Sequence, residues 1–356
     1  MTKLAALVSG GVDSSVALSL LKKEGRYDIT AFYLKIWLED ELQFLGECPW
    51  EEDLRYAQAV CDQLDIPLEV VSLQSQYWER VVSQTVSELK KGHTPSPDIL
   101  CNQRVKFGAF VDLIDSGFAY IASGHYAQVK RDEDGLSWLV KGVDPVKDQT
   151  YFLSQLSQNQ LARCLFPVGS YPKADVRTMA KQLGLANESR PDSQGICFLG
   201  KIKFNDFVKY HLGEKKGVIV ERETGKVLGQ HNGFWFHTIG QRRGLGLSGG
   251  PWFVVDKDCL ENVIYVSSTD SFLAKPQLSF EVDHAHWISK PPAESEQLSV
   301  KIRHGSRVNA CKLTALGASN YKVELEKPDG GVAAGQYAVF YRDEVCLGSA
   351  MISRRL

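Results

Sequence analysis

Residues 9–15 read Ser-Gly-Gly-Val-Asp-Ser-Ser, set between the apolar run Leu4 to Val8 and a stretch, Val16 to Leu21, whose apolar residues recur at helical spacing. A strand, a tight loop and a helix start in that order make a phosphate site. Gly10 and Gly11 accept positive φ and let the backbone close on an anion. Asp13, Ser14 and Ser15 favour a helix N-terminus, whose N–H groups and dipole face whatever negative group the loop holds. No Lys follows the glycines, which excludes the loop that grips β- and γ-phosphates for γ-phosphoryl transfer.

The rest of the first half repeats the strand-helix alternation. Ile29 to Trp37 reads as a second strand and Leu68 to Val71 as a third, and Trp50, Leu54, Ala57, Cys61 and Leu64 recur at helical spacing. Strands separated by such helices imply right-handed crossovers and a parallel sheet covered on both faces. Ligands bind such sheets at the carboxyl ends of the strands. The loop at Ser9, the strand end near Leu34 and the segment Ala122 to His125, after a strand at Tyr120-Ile121, therefore converge on one crevice. A helical connector is expected from about Gln149 to Gly184. Beyond about residue 210, short alternating runs separated by turn residues predict a small β domain. A boundary is expected around 273–278, within the proline-bearing stretch Leu273 to Pro292. Five further short runs, from Val300 to Ile352, predict a small antiparallel barrel. The fold class is α/β: a parallel-sheet domain (1–205), a small central β domain (206–275) and a C-terminal β-barrel (276–356).

A formal net charge of −2 excludes a protein that coats nucleic acid by bulk positive charge. The distribution is uneven, with 9 Lys and Arg against 16 Asp and Glu in residues 1–100 and 32 against 27 afterwards. Any nucleic-acid face belongs to the later part. The first strand begins at once, without an apolar or Arg-rich leader, and no apolar stretch approaches 18 residues, so no membrane association and a cytoplasmic location are expected. Eight cysteines, none nearer to another than Cys48 to Cys61, lack zinc-site spacing and are expected to be reduced.

Two cysteines have notable neighbours. The prolines at 95 and 97 keep the chain out of a helix until about residue 97, so a helix starts there with Asp98 near its N-terminus and Cys101 on the same face. The helix N-terminus lowers a thiol's pKa and the carboxylate raises it, which leaves Cys101 open as a reactive or a buried structural thiol. Cys197 lies in the loop Arg190-Pro191-Asp192-Ser193-Gln194-Gly195-Ile196-Cys197, where exposure and polar neighbours suit a reactive thiol.

The loop itself resembles the PP-loop motif, SGG-x-DS, of enzymes that split ATP between its α- and β-phosphates and leave adenylate on a substrate. Such a loop and two thiols suggest one chemistry. ATP turns a carbonyl oxygen into a leaving group, a cysteine persulfide delivers sulfur, and a second thiol supplies the missing two electrons by closing a disulfide with the carrier.

The motifs SGGVDSS, TP-x-PDILCN-x-x-VKF, SGHY, KDQ-x-YFL, DSQGICF, HTIGQRRGLG and GQ-x-AVFY-x-x-x-x-CLG, spread over residues 9–348, resemble the tRNA-uridine 2-sulfurtransferase (2-thiouridylase) family. The resemblance implies ATP-dependent thiolation of C2 of the wobble uridine of tRNA, with sulfur from a persulfide donor, either a cysteine desulfurase or a relay protein, and a monomeric enzyme. It implies that Leu7, Val8, Ser9, Gly10, Gly11, Val12, Asp13 and Ser14 hold ATP and that Leu34 and Gly124 line its pocket. Cys197 is then the persulfide carrier and Cys101 the nucleophile that resolves it. Ser96, Pro97 and Asp98 contact the target base, with Asp98 also available as acid or base. His125, Lys147, Asp148, Gln149, Arg303, His304 and Gln336 touch tRNA. Relatives commonly carry Asn where Ser96 stands, which alters only the hydrogen bond at that position.

Asp13 suits either Mg²⁺ on pyrophosphate or helix capping. Gln241 to Gly244 reads equally as a solvated basic turn or a phosphate contact. His284 and His286, at strand spacing with no third ligand, read as a surface or barrel-lining pair rather than a metal site. The alternative enzyme class is a PP-loop ligase that transfers nitrogen to an adenylated small molecule.

Overall fold

β1 (Thr2–Val8) is buried from Leu4 onward, as its unbroken apolar run requires of an inner parallel strand. Leu4, Ala6 and Val8 pack on one face with Val16 and Leu18 of the helix Val12–Glu24, while Ala5 and Leu7 pack on the other. The computed structural model describes residues 1–36, 50–192, 203–268, 277–293 and 296–356. β2 (Tyr27–Lys35), β3 (Leu68–Ser72), β4 (Tyr120–Ala122) and β7 (Cys164–Leu165) join β1 in a five-stranded sheet ordered β3-β2-β1-β4-β7, every pair parallel. The chain leaves β1 towards β2 and β3 and returns to β4 on the other side. The switch point of the sheet therefore lies at the C-terminal end of β1, where ligands bind such sheets.

The fifth strand, β7 (Cys164–Leu165), corrects the expected helical connector. That stretch holds the short helices Thr150–Leu153 and Gln158–Ala162 and a 3-10 turn at Pro167–Ser170 before Lys173–Gln182. Pro167 and Pro172 break the run between them, and Cys164-Leu165 fills the sheet edge beside β4.

The two other sheets are the expected β units. β8 (Gly217–Glu221), β9 (Val227–His231), β10 (Trp252–Asp258) and β11 (Val263–Ser268) form a sheet ordered β10-β11-β8-β9 over Ile219, Phe234, Val254, Ile264 and Val266. This central sheet is mixed, with β11 parallel to β8, and the C-terminal one is antiparallel throughout. The last sheet contains β12 (Ser279–Trp287), β13 (Leu298–Lys301), β14 (Asn309–Ala315), β15 (Tyr321–Leu325), β16 (Tyr337–Arg342) and β17 (Val345–Arg355). Pairing of β12 with both β15 and β17 closes these six strands into a barrel.

β12 lies inside the stretch expected to hold a boundary, because its prolines flank the strand and do not interrupt it. A bulge between Asp283 and His286, with His284 at φ 54°, also breaks the spacing of the two histidines. His286 bonds the Leu156 carbonyl through Nε2 at 2.8 Å, so the two rings do not act as a pair.

The barrel does not stand apart from the α/β domain. A hairpin of β5 (Ala127–Arg131) and β6 (Ser137–Lys141) extends the barrel sheet by pairing Val140 and Leu139 with Val345 and Cys346 of β17. The segment after the hairpin adds side-chain bonds. Ser154 Oγ and Gln155 Nε2 both reach Ser349 Oγ at 2.9 Å, and Tyr151 donates to the Tyr337 carbonyl at 3.1 Å.

Candidate active site

The loop after β1 turns its carbonyls towards protein donors. Ser14 and Ser15 hydroxyls both donate to the Gly11 carbonyl at 3.0 Å, and Asn187 Nδ2 and Arg190 Nη1 donate to the Gly10 carbonyl at 2.8 and 3.1 Å. The first N–H groups of the helix Val12–Glu24, which no intrahelical carbonyl can accept, are left for a ligand. Gly10 has φ +69°, and a side chain there would collide with the Asp53 carbonyl. Gly124, just past β4, is pressed against the same helix start: a Cβ would stand 2.7 Å from Ser14 N and 2.9 Å from Ser14 Cα. Leu34 sits at the matching end of β2, one residue past the pair formed by Val8 and Tyr33. The loop, Leu34 and Gly124 thus converge on one crevice, as the strand order requires.

Asp13 does not cap the helix; Gly11 is the N-cap, without a side-chain bond. The Asp13 carboxylate instead accepts from Tyr126 Oη at 2.8 Å and from Lys173 Nζ at 2.6 Å. Lys173 also reaches Asp192 Oδ1 at 2.8 Å, Lys147 reaches Asp192 Oδ2 at 2.8 Å, and Arg177 pairs with the same carboxylate. Burial raises the Asp192 carboxyl, but its bonds to Lys147 and Lys173 and the Arg177 guanidinium outweigh that and hold it well below the usual carboxylate range. Arg190 pairs with Asp53. Sequence reasoning missed Lys173, Arg177, Asn187 and Arg190 as members of this site. Their signal, basic and amide groups more than 150 residues from the loop, becomes visible only once the chain is folded.

The helix Pro97–Cys101 begins at Ser96, with Pro97 at its first position and Asp98 in its first turn. Cys101 is 1% exposed, in the core cluster that also holds Leu7 and packs Leu34. The helix continues beyond Cys101 with a wider turn, since the Phe110 N–H bonds the Val105 carbonyl five residues back. Cys197 lies outside the described residues. Cys61, Cys164, Cys311 and Cys346 are buried free thiols, and burial pushes Cys61 up to about 11 and Cys311 up to about 12, as suits inert thiols.

Ser96 is tied to the barrel side. The Tyr151 hydroxyl bonds both Ser96 and the Tyr337 carbonyl. Two residues before Ser96, Thr94 N–H donates to the Ala334 carbonyl at 2.8 Å and Thr94 Oγ1 reaches Thr238 Oγ1 at 3.3 Å, so all three sheets' domains meet at Thr94. Gly335, next to Gln336, has φ +88° and would meet His93 Cβ at 2.7 Å if it carried a side chain. Gln336 therefore sits beside the loop that leads to Ser96.

His304 stacks on Phe152 with ring centroids 4.5 Å apart. Burial draws its pKa below the ordinary value, while a bond to the Asp148 backbone and the field of Asp98 pull the other way. His304, Asp98, Phe152 and Ser96 are thus one neighbourhood. Arg303 is held 3.0 Å from Asp329.

Of the other residues expected to touch RNA, several face inward. Asp148 is 3% exposed and its carboxylate accepts from Lys301 Nζ at 3.0 Å and from Thr150 Oγ1 at 2.8 Å. Gln149 bonds the Tyr126 backbone twice, through its own N–H and through Oε1, each at 2.9 Å. His125 hydrogen-bonds Ser123 Oγ at 2.7 Å between the rings of Phe107 and Phe166, and burial, reinforced by the charge of Lys106, pulls its pKa well below the ordinary value. Its ring is neutral at physiological pH and acts as a hydrogen-bonding group, not a counter-charge.

Residues 147–151 join these features. Lys147 reaches the loop after β1 through Asp192, Asp148 the barrel through Lys301, Gln149 the strand exit at Tyr126, and Tyr151 the loop at Ser96. The turn Gln241 to Gly244 is braced internally, with Thr238 N–H donating to Gln241 Oε1 at 2.9 Å, and Arg242 and Arg243 are exposed. Among the described residues no three His, Cys, Asp or Glu side chains converge as a metal site. Among the same residues no helix is long and apolar enough to cross a membrane.

Three family models cover the chain in order: a tRNA methyl transferase HUP domain over residues 2–201, a tRNA methyl transferase PRC-barrel domain over 205–268 and an aminomethyltransferase β-barrel domain over 278–352. The tRNA-specific 2-thiouridylase MnmA of Parabacteroides distasonis is 45% identical over 98% of this chain and 98% of its own length. The chain belongs to the tRNA-specific 2-thiouridylase family. Two more members of the family are 44% identical over 99% of each chain: 2-thiouridylase MnmA 1 of Bacteroides thetaiotaomicron and MnmA of Porphyromonas gingivalis. Family membership accounts for the three-sheet order, since the HUP, PRC-barrel and β-barrel models follow one another as the sheets do.

Proposed function

We propose that this chain replaces O2 of the wobble uridine of tRNA with sulfur, at the expense of ATP. The observation that supports this reading most is the route from nucleotide loop to base pocket through residues 147–151. It links the SGGVDSS loop and the Ser96–Cys101 segment through a run of side-chain bonds, which supports the two acting on one substrate.

ATP enters with its phosphates on the loop and on the N-terminus of the helix Val12–Glu24, and carries Mg²⁺ on those phosphates. The uridine, turned out of its stack, lies at Ser96, Pro97 and Asp98, where one pocket reads its edge. Its O2 attacks the α-phosphorus and pyrophosphate leaves. The outer sulfur of a persulfide on Cys197 then reaches C2, AMP departs with the former O2, and Cys101 closes a disulfide with Cys197 so that the electrons balance. Half-buried Arg303 and stacked His304 flank the pocket on the barrel side and suit phosphate and base contacts.

The nitrogen-transferring ligase is set aside, because the relatives at 43–45% identity are named 2-thiouridylases. The methyl transfer in the family models' descriptions has no counterpart in a loop shaped for phosphate. A persulfide donor protein supplies the sulfur, the enzyme works as a monomer, and its tRNA substrate places it in the cytoplasm.

The test is to incubate enzyme, unmodified tRNA, ATP, Mg²⁺ and sulfide, and to follow pyrophosphate release. Release that requires tRNA supports the reading. Release that requires a small-molecule amine acceptor in place of tRNA overturns it.

A further inference from the structure

We infer that Lys173 is the cation that meets the negative charge of the departing pyrophosphate, an assignment that rests on the ATP reading above. The SGGVDSS loop supplies backbone N–H groups but no Lys after its glycines, so the positive charge for a leaving triphosphate end has to come from elsewhere in the fold. Lys173 Nζ lies 2.6 Å from Oδ1 of Asp13, a residue of the loop's own helix start, and 2.8 Å from Asp192 Oδ1. It is the one side chain that bonds both carboxylates in the structure as described.

Its mounting is rigid. Lys173 is the first residue of the helix Lys173–Gln182, its backbone N–H is held by Asp144 Oδ2 at 3.0 Å, and its ammonium lies over the Tyr126 ring. Beyond that anchor, four methylenes let the ammonium swing between two carboxylates and an arriving phosphate.

The charges around it are balanced. Lys147, Lys173 and Arg177 share Asp192, and Asp13 and Asp144 complete the cluster, so at the mouth of the loop three cations are matched by three carboxylates before any ligand is present. An arriving triphosphate competes with these carboxylates for the Lys173 ammonium. Before ATP binds, Asp192 and Asp13 keep the ammonium oriented without an anion in place.

In the step itself, O2 of the uracil attacks the α-phosphorus while the bond from that phosphorus to the α,β-bridging oxygen breaks. The electron pair leaves on pyrophosphate, beside the Lys173 ammonium, and the uracil N3 proton passes to solvent.

The experiment compares Lys173→Met with the wild type in tRNA-dependent release of the β,γ-fragment, pyrophosphate from ATP and difluoromethylenebisphosphonate, a better leaving group, from an ATP whose β,γ-bridge is difluoromethylene. The expected result is a loss of about 100-fold or more in kcat with ATP, a change of less than threefold in KM for ATP, and a deficit at least tenfold smaller with the difluoro nucleotide. A deficit equal for both nucleotides marks Lys173 as a structural pin and overturns the assignment, as does a kcat within threefold of wild type. If the Met variant fails to melt cooperatively, Lys173→Arg, which keeps the charge but displaces it, takes its place under the same two readings. A wild type that releases no β,γ-fragment from either nucleotide overturns the ATP reading itself, which separates the two failures.

Discussion

Asp148 and Lys301 face each other at 3.0 Å between the α/β domain and β13, with side chains only 2% and 5% exposed. The pair ties the barrel to the segment that carries Lys147, Gln149 and Tyr151. Removing one partner leaves the other charge buried and uncompensated. Lys301→Met is expected to cost about 3–5 kcal/mol of stability, and the double variant with Asp148→Leu to recover part of it. Denaturant unfolding followed by tryptophan fluorescence checks both; equal loss in single and double variants would show that the pair does not carry the docking.

A methyl group at Gly124 would press on Ser14 N and Ser14 Cα, both backbone atoms that cannot move aside cheaply. Gly124→Ala is expected to strain the helix start by about 1–3 kcal/mol and to raise the KM for ATP about tenfold or more. Gly25→Ala is the control, since Gly25 carries backbone strain of its own at φ +67° but faces open space, so it tests strain away from the pocket. Steady-state pyrophosphate release distinguishes them, and equal KM values would detach Gly124 from the nucleotide pocket.

Much of this could be read before folding. The loop at Ser9 fixed the parallel sheet and its crevice, because a strand, two glycines and a helix start leave few topologies open, and alternation past residue 210 was enough for the two β units. β7 escaped because two residues carry no period, and the β5–β6 hairpin because its partner, β17, is more than 200 residues away. In the site, residues adjacent in sequence were legible and those brought in from afar were not. Asp148 shows the limit most clearly: a charged residue in a KDQ run suggests a surface, and only the arrival of Lys301 from the barrel explains why it is buried.

Phe152 gives His304 a stacked platform 4.5 Å away. Phe152→Ala is expected to weaken tRNA binding by about 0.5–1.5 kcal/mol, a several-fold rise in Kd, while pyrophosphate release at saturating tRNA changes little. Filter binding at fixed salt measures it. An unchanged Kd would remove His304 from the RNA face.

The central domain responds to acid. Burial, aided by the charges of His231 and Lys257, lowers His237 to about 4 from an ordinary 6.5. Below pH 6.5 the unfolded chain takes up a proton that the folded chain refuses until about pH 4, so stability falls as pH falls through that window, by on the order of 2 kcal/mol. Thermal melts from pH 7 to pH 4.5 should show the decline, and His237→Gln should flatten it. An identical slope in the variant would assign the acid sensitivity elsewhere.

The account depends on two thiols with different duties after a common adenylation. Mass spectrometry of tRNA nucleosides, together with a pyrophosphate assay on the same reaction, tests this for wild type, Cys101→Ser and Cys197→Ser supplied with a persulfide donor. The account predicts one sulfur-for-oxygen exchange at the wobble uridine with the wild type, and no exchange but continued tRNA-dependent pyrophosphate release with each variant. Thiolated uridine at wild-type levels from either serine variant would contradict it.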